Sequence, residues 1–228
     1  MTKLSDDFLS YFYYGIREDY LERIKGEKLP LSEVFMGLTR NNPAVVSCDK
    51  NGKPNGSIKS VGFILKEPFL EEAISDYDNY LSWRFEEIKK KMGRDYEGSG
   101  WLYSPHPDFI VPGLKQSLKY LYLPKEEAEQ KIDFEKLCTL EGFFKKTWEN
   151  VQENKKVAIV YYYPPGTHFQ VNCTVEIKKS GPIREFINRS ACVAHGENPA
   201  KWAKRPAYIF HVEEVIDKSI YPDYTRDK

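Results

Sequence analysis

The sequence predicts a mainly β fold with helices (α+β), an antiparallel barrel carrying helical additions. Three observations predict it. The apolar run from Ala44 to Cys48 leads into "DKNGKP", a strong hairpin turn, and then into a second strand expected from Asn55 to Leu65. In "THFQVNCTVEIKKSGP", Phe169, Val171, Cys173, Val175 and Ile177 alternate with mostly polar neighbours, the mark of an antiparallel strand with one buried face. Helical patterns fall between such strands without the regular strand–helix–strand alternation of a parallel sheet. There is no internal repeat.

The remaining elements follow in order. Ser5 reads as an N-cap with Asp6 and Asp7 in the first turn, and Leu9, Phe12, Ile16 and Tyr20 recur at helical spacing until Gly26. A short second helix is expected from Ser32 to Thr39. Leu70, Ile74, Tyr77, Leu81, Phe85, Ile88 and Met92 step by fours and threes, a helical stripe that ends at Gly93 and packs on a core rather than binding a cofactor. "EGSGWLYSPHPDFIVPG" reads as a Gly/Pro-rich loop, "LKYLYLP" as a short strand and "KEEAEQK" as a charged connector. A strand is expected in "KVAIVYYYPPG", a helix opening at Pro182 in "PIREFINRSACVA", and a last strand in "AYIFHVEEVIDKSIY".

At 228 residues the chain has room for one domain, expected over 1–228, with helices over 1–40 and a mostly helical or irregular insertion over about 66–133. Lys+Arg and Asp+Glu balance at 34 each, so no bulk field favours nucleic acid or an anionic membrane. No apolar run is long enough to span a bilayer, and "MTKLSDDFLSYF" lacks a secretory pattern, so a soluble, cytoplasmic chain is expected. The four cysteines have no C-x-x-C spacing and the four histidines no H-x-x-x-H, so no metal centre announces itself.

One stretch poses a chemical question. In "GFFKKTWENVQEN" two lysines and a threonine stand where a helix begins, although lysine is disfavoured at the positive end of the helix dipole. Either Lys145 and Lys146 are a solvated pair at a frayed end, or backbone N–H groups, the Thr147 hydroxyl and an ammonium converge on a phosphate. Local sequence leaves both open.

Four stretches together resemble the FMN-binding split-barrel family of pyridoxamine 5′-phosphate oxidase and its relatives. "PAVVSCDKNGKPNGSIKSVGF" looks like the family's opening hairpin, with its D-x-x-G-x-P turn. "KKTWENVQENKKVAIVYY" is similar to its K-T-x-x-N segment, and "GTHFQVNCTVEIKKSGP" to its G-x-x-F-x-(V/I) strand. "AYIFHVEEVID" is like its closing strand. The set covers roughly half the chain in the family's order. The resemblance implies a homodimeric, six-stranded split barrel with FMN in clefts between subunits. It implies that Lys146 and Thr147 grip the flavin phosphate, with Lys145 adding charge, and that Ser57, Lys59 and Ser60 contact flavin from the second strand. Lys59 would stand near the ring as a cation that favours reduced flavin. Thr139, Leu140 and Glu141 would run beside the isoalloxazine.

The chain also departs from the pattern. Cys173 replaces a usual glycine, the arginine-rich and R-L-x-P elements of the vitamin B6 oxidases are missing, and the 66–133 insertion is long. Trp83, Trp101, Tyr103 and His106 in that insertion either roof the flavin or form an added layer. The expected activity is that of an FMN-dependent oxidoreductase other than vitamin B6 oxidation. The alternatives are a non-catalytic electron carrier, or a split barrel that binds deazaflavin or haem.

Overall fold

The hairpin foreseen at "DKNGKP" starts the sheet. In the computed structural model, which describes residues 2–26, 37, 39–92 and 110–220, β1 (Ala44–Cys48) pairs antiparallel with β2 (Pro54–Ile58), Val45 opposite Ser57. The Asp49 carboxylate accepts the amides of Asn51 and Lys53, and Gly52 takes φ +79°, a left-handed conformation that costs glycine little. Strand β2 ends at Ile58, earlier than expected. Beyond it the chain crosses to the opposite sheet edge, where Gly62 and Cys138 exchange both backbone hydrogen bonds (2.8 and 2.9 Å).

The other strands are β3 (Lys136–Leu140), β4 (Lys156–Tyr163), β5 (Thr167–Lys178) and β6 (Ala207–Asp217). Their order is β2-β1-β4-β5-β6-β3, and every pairing is antiparallel. Because β2 and β3 are the two edges, the Gly62–Cys138 exchange joins them, and the curled sheet is a split barrel. The alternation foreseen in β5 is present: Phe169, Val171, Cys173 and Val175 are buried. At Cys173 the register against β6 shifts, leaving Glu213 as the extra residue of a bulge.

Helices cover the barrel. Ser5 caps α1 (Asp6–Leu9) by accepting from the Phe8 amide (3.3 Å), and a π-helical turn, Ser10–Tyr14, connects it to α2 (Gly15–Ile24). Phe8 and Phe12 from this run pack edge-on or tilted against Tyr161 of β4 (4.9 Å for each) and against Phe169 of β5. The stripe read from the sequence is α3 (Leu70–Met92), whose Leu70, Tyr77, Leu81 and Ile88 are buried. Tyr77 stacks on Phe186 of the last helix.

Three expectations between α3 and β4 need correction. Ile110–Gly113 of "FIVPG" and Leu118–Tyr120 of "LKYLYLP" lie in α4 (Ile110–Tyr120), and Leu121–Pro124 form the turn that follows it, so the expected loop and strand are not found there. Pro112 sits in the first turn, where a missing N–H costs no helical bond, and Leu114, Ser117 and Tyr120 bury one face at helical spacing. "KEEAEQK" is α5 (Lys125–Lys131), seated by one buried alanine, Ala128. Strand β3 was not foreseen. Its Leu137, Cys138 and Thr139 are all buried, so it shows no alternation to read. The helices α6 (Lys146–Glu153) and α7 (Pro182–His195) follow as expected. The expected 32–39 helix and the aromatic residues Trp101, Tyr103 and His106 lie outside the described residues, apart from Gly37 and Thr39.

Candidate functional site

Helix α6 follows β3 after a short loop, and its inner and outer faces do different things. Lys145 occupies the N-cap in an extended conformation, and no side chain caps the helix. On the inner face, the Thr147 hydroxyl accepts from Asn55 Nδ2 (3.1 Å) and lies 2.9 Å from Ser57 Oγ. One turn on, Asn150 Nδ2 donates to Ser47 Oγ (3.1 Å). Thr147, Asn150 and Ser47 are buried, so these polar contacts stitch α6 onto the β1–β2 hairpin. On the outer face, Lys146 Nζ reaches Glu149 Oε2 at 3.1 Å, and Lys145 Nζ lies 5.5 Å above the Phe143 ring.

Glu141, at the end of β3, anchors the loop before α6. Its Oε1 accepts the amides of Phe143 and Phe144 (2.8 Å each), and its Oε2 accepts from Tyr208 Oη (2.6 Å) and Lys59 Nζ (3.2 Å). Phe144 takes φ +50°, a left-handed conformation that costs an L residue about 1–2 kcal/mol. The two convergent amides and the carboxylate they hold offset that strain. Burial pushes the Glu141 carboxyl upward, but the Tyr208 hydroxyl, the Phe143 amide and Lys59 outweigh it and hold the group below the usual carboxylate range. Burial first, and then the Glu141 carboxylate, push the Tyr208 phenol far upward, so the hydroxyl keeps its proton and donates. Trp148 stacks on Tyr208, and Phe144 meets Trp148 edge-on, which extends the anchored loop into an aromatic row.

The sequence-predicted residues fall into two groups. Lys59, Ser57, Glu141, Lys145, Lys146 and Thr147 share the α6 corner. Ser60, Thr139 and Leu140 do not; with Asn42, Tyr122 and His195 they line a cavity of about 450 Å³ between the barrel seam and helices α2, α4 and α7. Ser60 Oγ donates to Asn42 Oδ1 there (2.8 Å). Burial lowers the His195 imidazole below its ordinary value, so it lines the cavity neutral. Sequence reasoning missed Asn55 and Tyr208. Asn55 was within reach, because it lies two residues from Ser57 and shares its face. Tyr208 carried no local signal, since its partner is 67 residues away.

Burial pushes the thiols of Cys138, Cys173 and Cys192 up to about 12, so they stay protonated and unreactive near neutrality. Among the described residues no cluster of His, Cys, Asp and Glu could hold a metal ion, and no helix is long and apolar enough to cross a membrane.

No family model and no curated protein matches the chain. Solved structures with a similar chain path include HupZ of Group A Streptococcus, at 13% identity and TM-score 0.42, over 84% of this chain and 94% of that one. They also include HutZ, the haem storage protein of Vibrio cholerae, at 8% identity and TM-score 0.42, over 84% and 95%. A third is an FMN-binding protein of Syntrophomonas wolfei subsp. wolfei, at 10% identity and TM-score 0.37, over 91% and 97%. These are loose likenesses, and what each protein binds is a property of that protein.

Proposed function

We propose that the α6 corner binds the phosphate of a flavin nucleotide, FMN, and that the chain serves as an FMN-dependent oxidoreductase other than a vitamin B6 oxidase. The observation that carries this reading is a helix N-terminus without a side-chain cap, bearing Lys145 and Lys146 where a cation is otherwise unfavourable. The residues present fit an anion. The Lys146–Glu149 pair is exposed on both sides and is worth about 0–1 kcal/mol, so a doubly charged phosphate competes with it easily. The Thr147 hydroxyl also bonds Asn55 and Ser57, which fixes the helix against the hairpin.

When bound, a flavin supplies the electron and hydride chemistry, and the chain supplies binding and electrostatics. Lys145 and Lys146 hold the phosphate end. Lys59, just past the second strand, is held by Glu141 and fixes the geometry of the corner. Tyr208 keeps its proton and holds Glu141 in place. The proposal includes a second copy of the chain across this corner. Ile58, next to Lys59 in the chain, is 69% exposed, and Phe143 and Phe144 of the anchored loop are 69% and 47% exposed. Apolar side chains left this open suit an interface.

The test is titration with FMN and with riboflavin, which lacks the phosphate. The chain is expected to bind FMN more tightly, and Lys146→Ala is expected to weaken FMN by about tenfold or more while leaving riboflavin unchanged, since one charge-assisted bond is worth about 1.5–3 kcal/mol. Equal affinity for both ligands rejects the phosphate site. Light scattering tests the second copy, and a monomer with FMN bound rejects it.

A further inference from the structure

The Glu141 carboxylate is an anion already seated among anion-binding groups. Two consecutive amides converge on one oxygen, as in the backbone concavities that bind phosphate, and a phenol and an ammonium take the other. The seat is closed: the Glu141 side chain is 2% exposed and that of Lys59 is 12% exposed. The chain therefore spends Lys59 and the Phe143–Phe144 amides on its own carboxylate, while Lys145 and Lys146 remain on the outside.

We propose that Glu141 is a positioning residue that sets how much positive charge the α6 corner presents to an anionic ligand, by neutralising Lys59 and holding the Phe143–Phe144 loop inward. This rests on the flavin nucleotide reading above. Glu141 is tied to Lys59 and the loop together, so one side chain limits both the cation count and the donor count of the site. It follows that attraction for the phosphate comes from Lys145, Lys146 and the α6 N-terminus. Lys59 fixes geometry more than it adds charge, unless its partner is removed.

Glu141→Gln tests this, because glutamine keeps the size and an acceptor for the two amides and loses the negative charge. Titration of the full chain, followed by flavin fluorescence, is expected to show FMN bound about tenfold more tightly by the variant at low salt, with the gain shrinking as salt is added. Riboflavin, without the phosphate, is expected to change little. Reduced flavin carries the greater negative charge, so the variant's midpoint potential is expected to rise. A tenfold shift in the ratio of oxidised to reduced affinity is about 30 mV for a two-electron couple. In Glu141→Gln combined with Lys59→Met the gain is expected to vanish, because the unmasked charge is gone.

A purely structural carboxylate would lower the unfolding midpoint and leave the FMN-to-riboflavin preference and the potential alone; that result overturns the proposal. If Glu141→Gln does not fold, Lys59→Met alone decides. It leaves the carboxylate uncompensated and is expected to weaken FMN about tenfold with little effect on riboflavin, and an unchanged preference overturns the proposal. If the unaltered chain binds FMN no better than riboflavin, the phosphate site and this inference fall together. If it prefers FMN and the variants do not alter that preference, this inference alone falls.

Discussion

Two lysine–glutamate pairs flank the start of α6, alike in length and unlike in burial. Lys59–Glu141 spans 3.2 Å with side chains 12% and 2% exposed; Lys146–Glu149 spans 3.1 Å with side chains 48% and 62% exposed. The distances would rank them equal. The solvent does not. Removing one partner of a buried pair leaves an uncompensated charge and costs about 3–5 kcal/mol, whereas an exposed pair contributes about 0–1 kcal/mol. The first pair is therefore part of the frame of the corner, and the second can yield to an incoming anion at little cost. On the proposed function, the buried pair keeps the corner rigid and the exposed pair admits the ligand.

The largest effect is expected from Glu141→Ala. It strands Lys59 and two loop amides and leaves Phe144 strained without its anchor, so a loss of about 3–5 kcal/mol is expected in urea unfolding. A loss below about 1 kcal/mol would make the buried pair no different from the exposed one and break the comparison. Acid sharpens the same point. The folded Glu141 carboxyl is held below its ordinary value, so its contribution is fully present above the unfolded value of about 4.3 and is lost as pH falls through the lower folded value. The stability advantage of the unaltered chain over Glu141→Gln is expected to shrink through that acid window and to stay flat from pH 6 to 8. Next in size is Thr147→Ala, which leaves Asn55 and Ser57 without their buried partner. A loss of about 1–3 kcal/mol is expected in thermal unfolding, with FMN weakened only as far as the helix shifts.

The barrel was legible wherever local pattern and burial coincide. The β1–β2 turn announces itself through "DKNGKP", and β5 through strict alternation, because each element carries its own signal. Strand β3 is buried on both faces and closes the barrel through Gly62, a long-range pairing that no local window contains. The same limit divides the site. Lys145, Lys146 and Thr147 are contiguous, and their unfavourable helix start could be read directly. The role of Glu141 could not, since it depends on Lys59, which is 82 residues away, and on Tyr208, which is 67 away. Thr147 shows a subtler limit. Its position at the helix start was readable, but the side to which its hydroxyl turns is set by the packing of α6 on β2.

The smallest expected effect tests the yielding pair. Glu149 sits in the first turn of α6, where an acid is favourable to the helix dipole, and it also holds Lys146. Glu149→Gln removes both interactions, so stability is expected to fall by no more than about 0.5 kcal/mol. The same change frees Lys146 for phosphate and is expected to tighten FMN by about two- to threefold, a gain worth about 0.4–0.7 kcal/mol. The two effects have opposite signs and separate readouts, one in urea unfolding and one in titration. A stability loss above about 1 kcal/mol with no gain in affinity would mean that Lys146 braces the helix instead of waiting for a ligand, and the corner would then have two structural pairs and no yielding one.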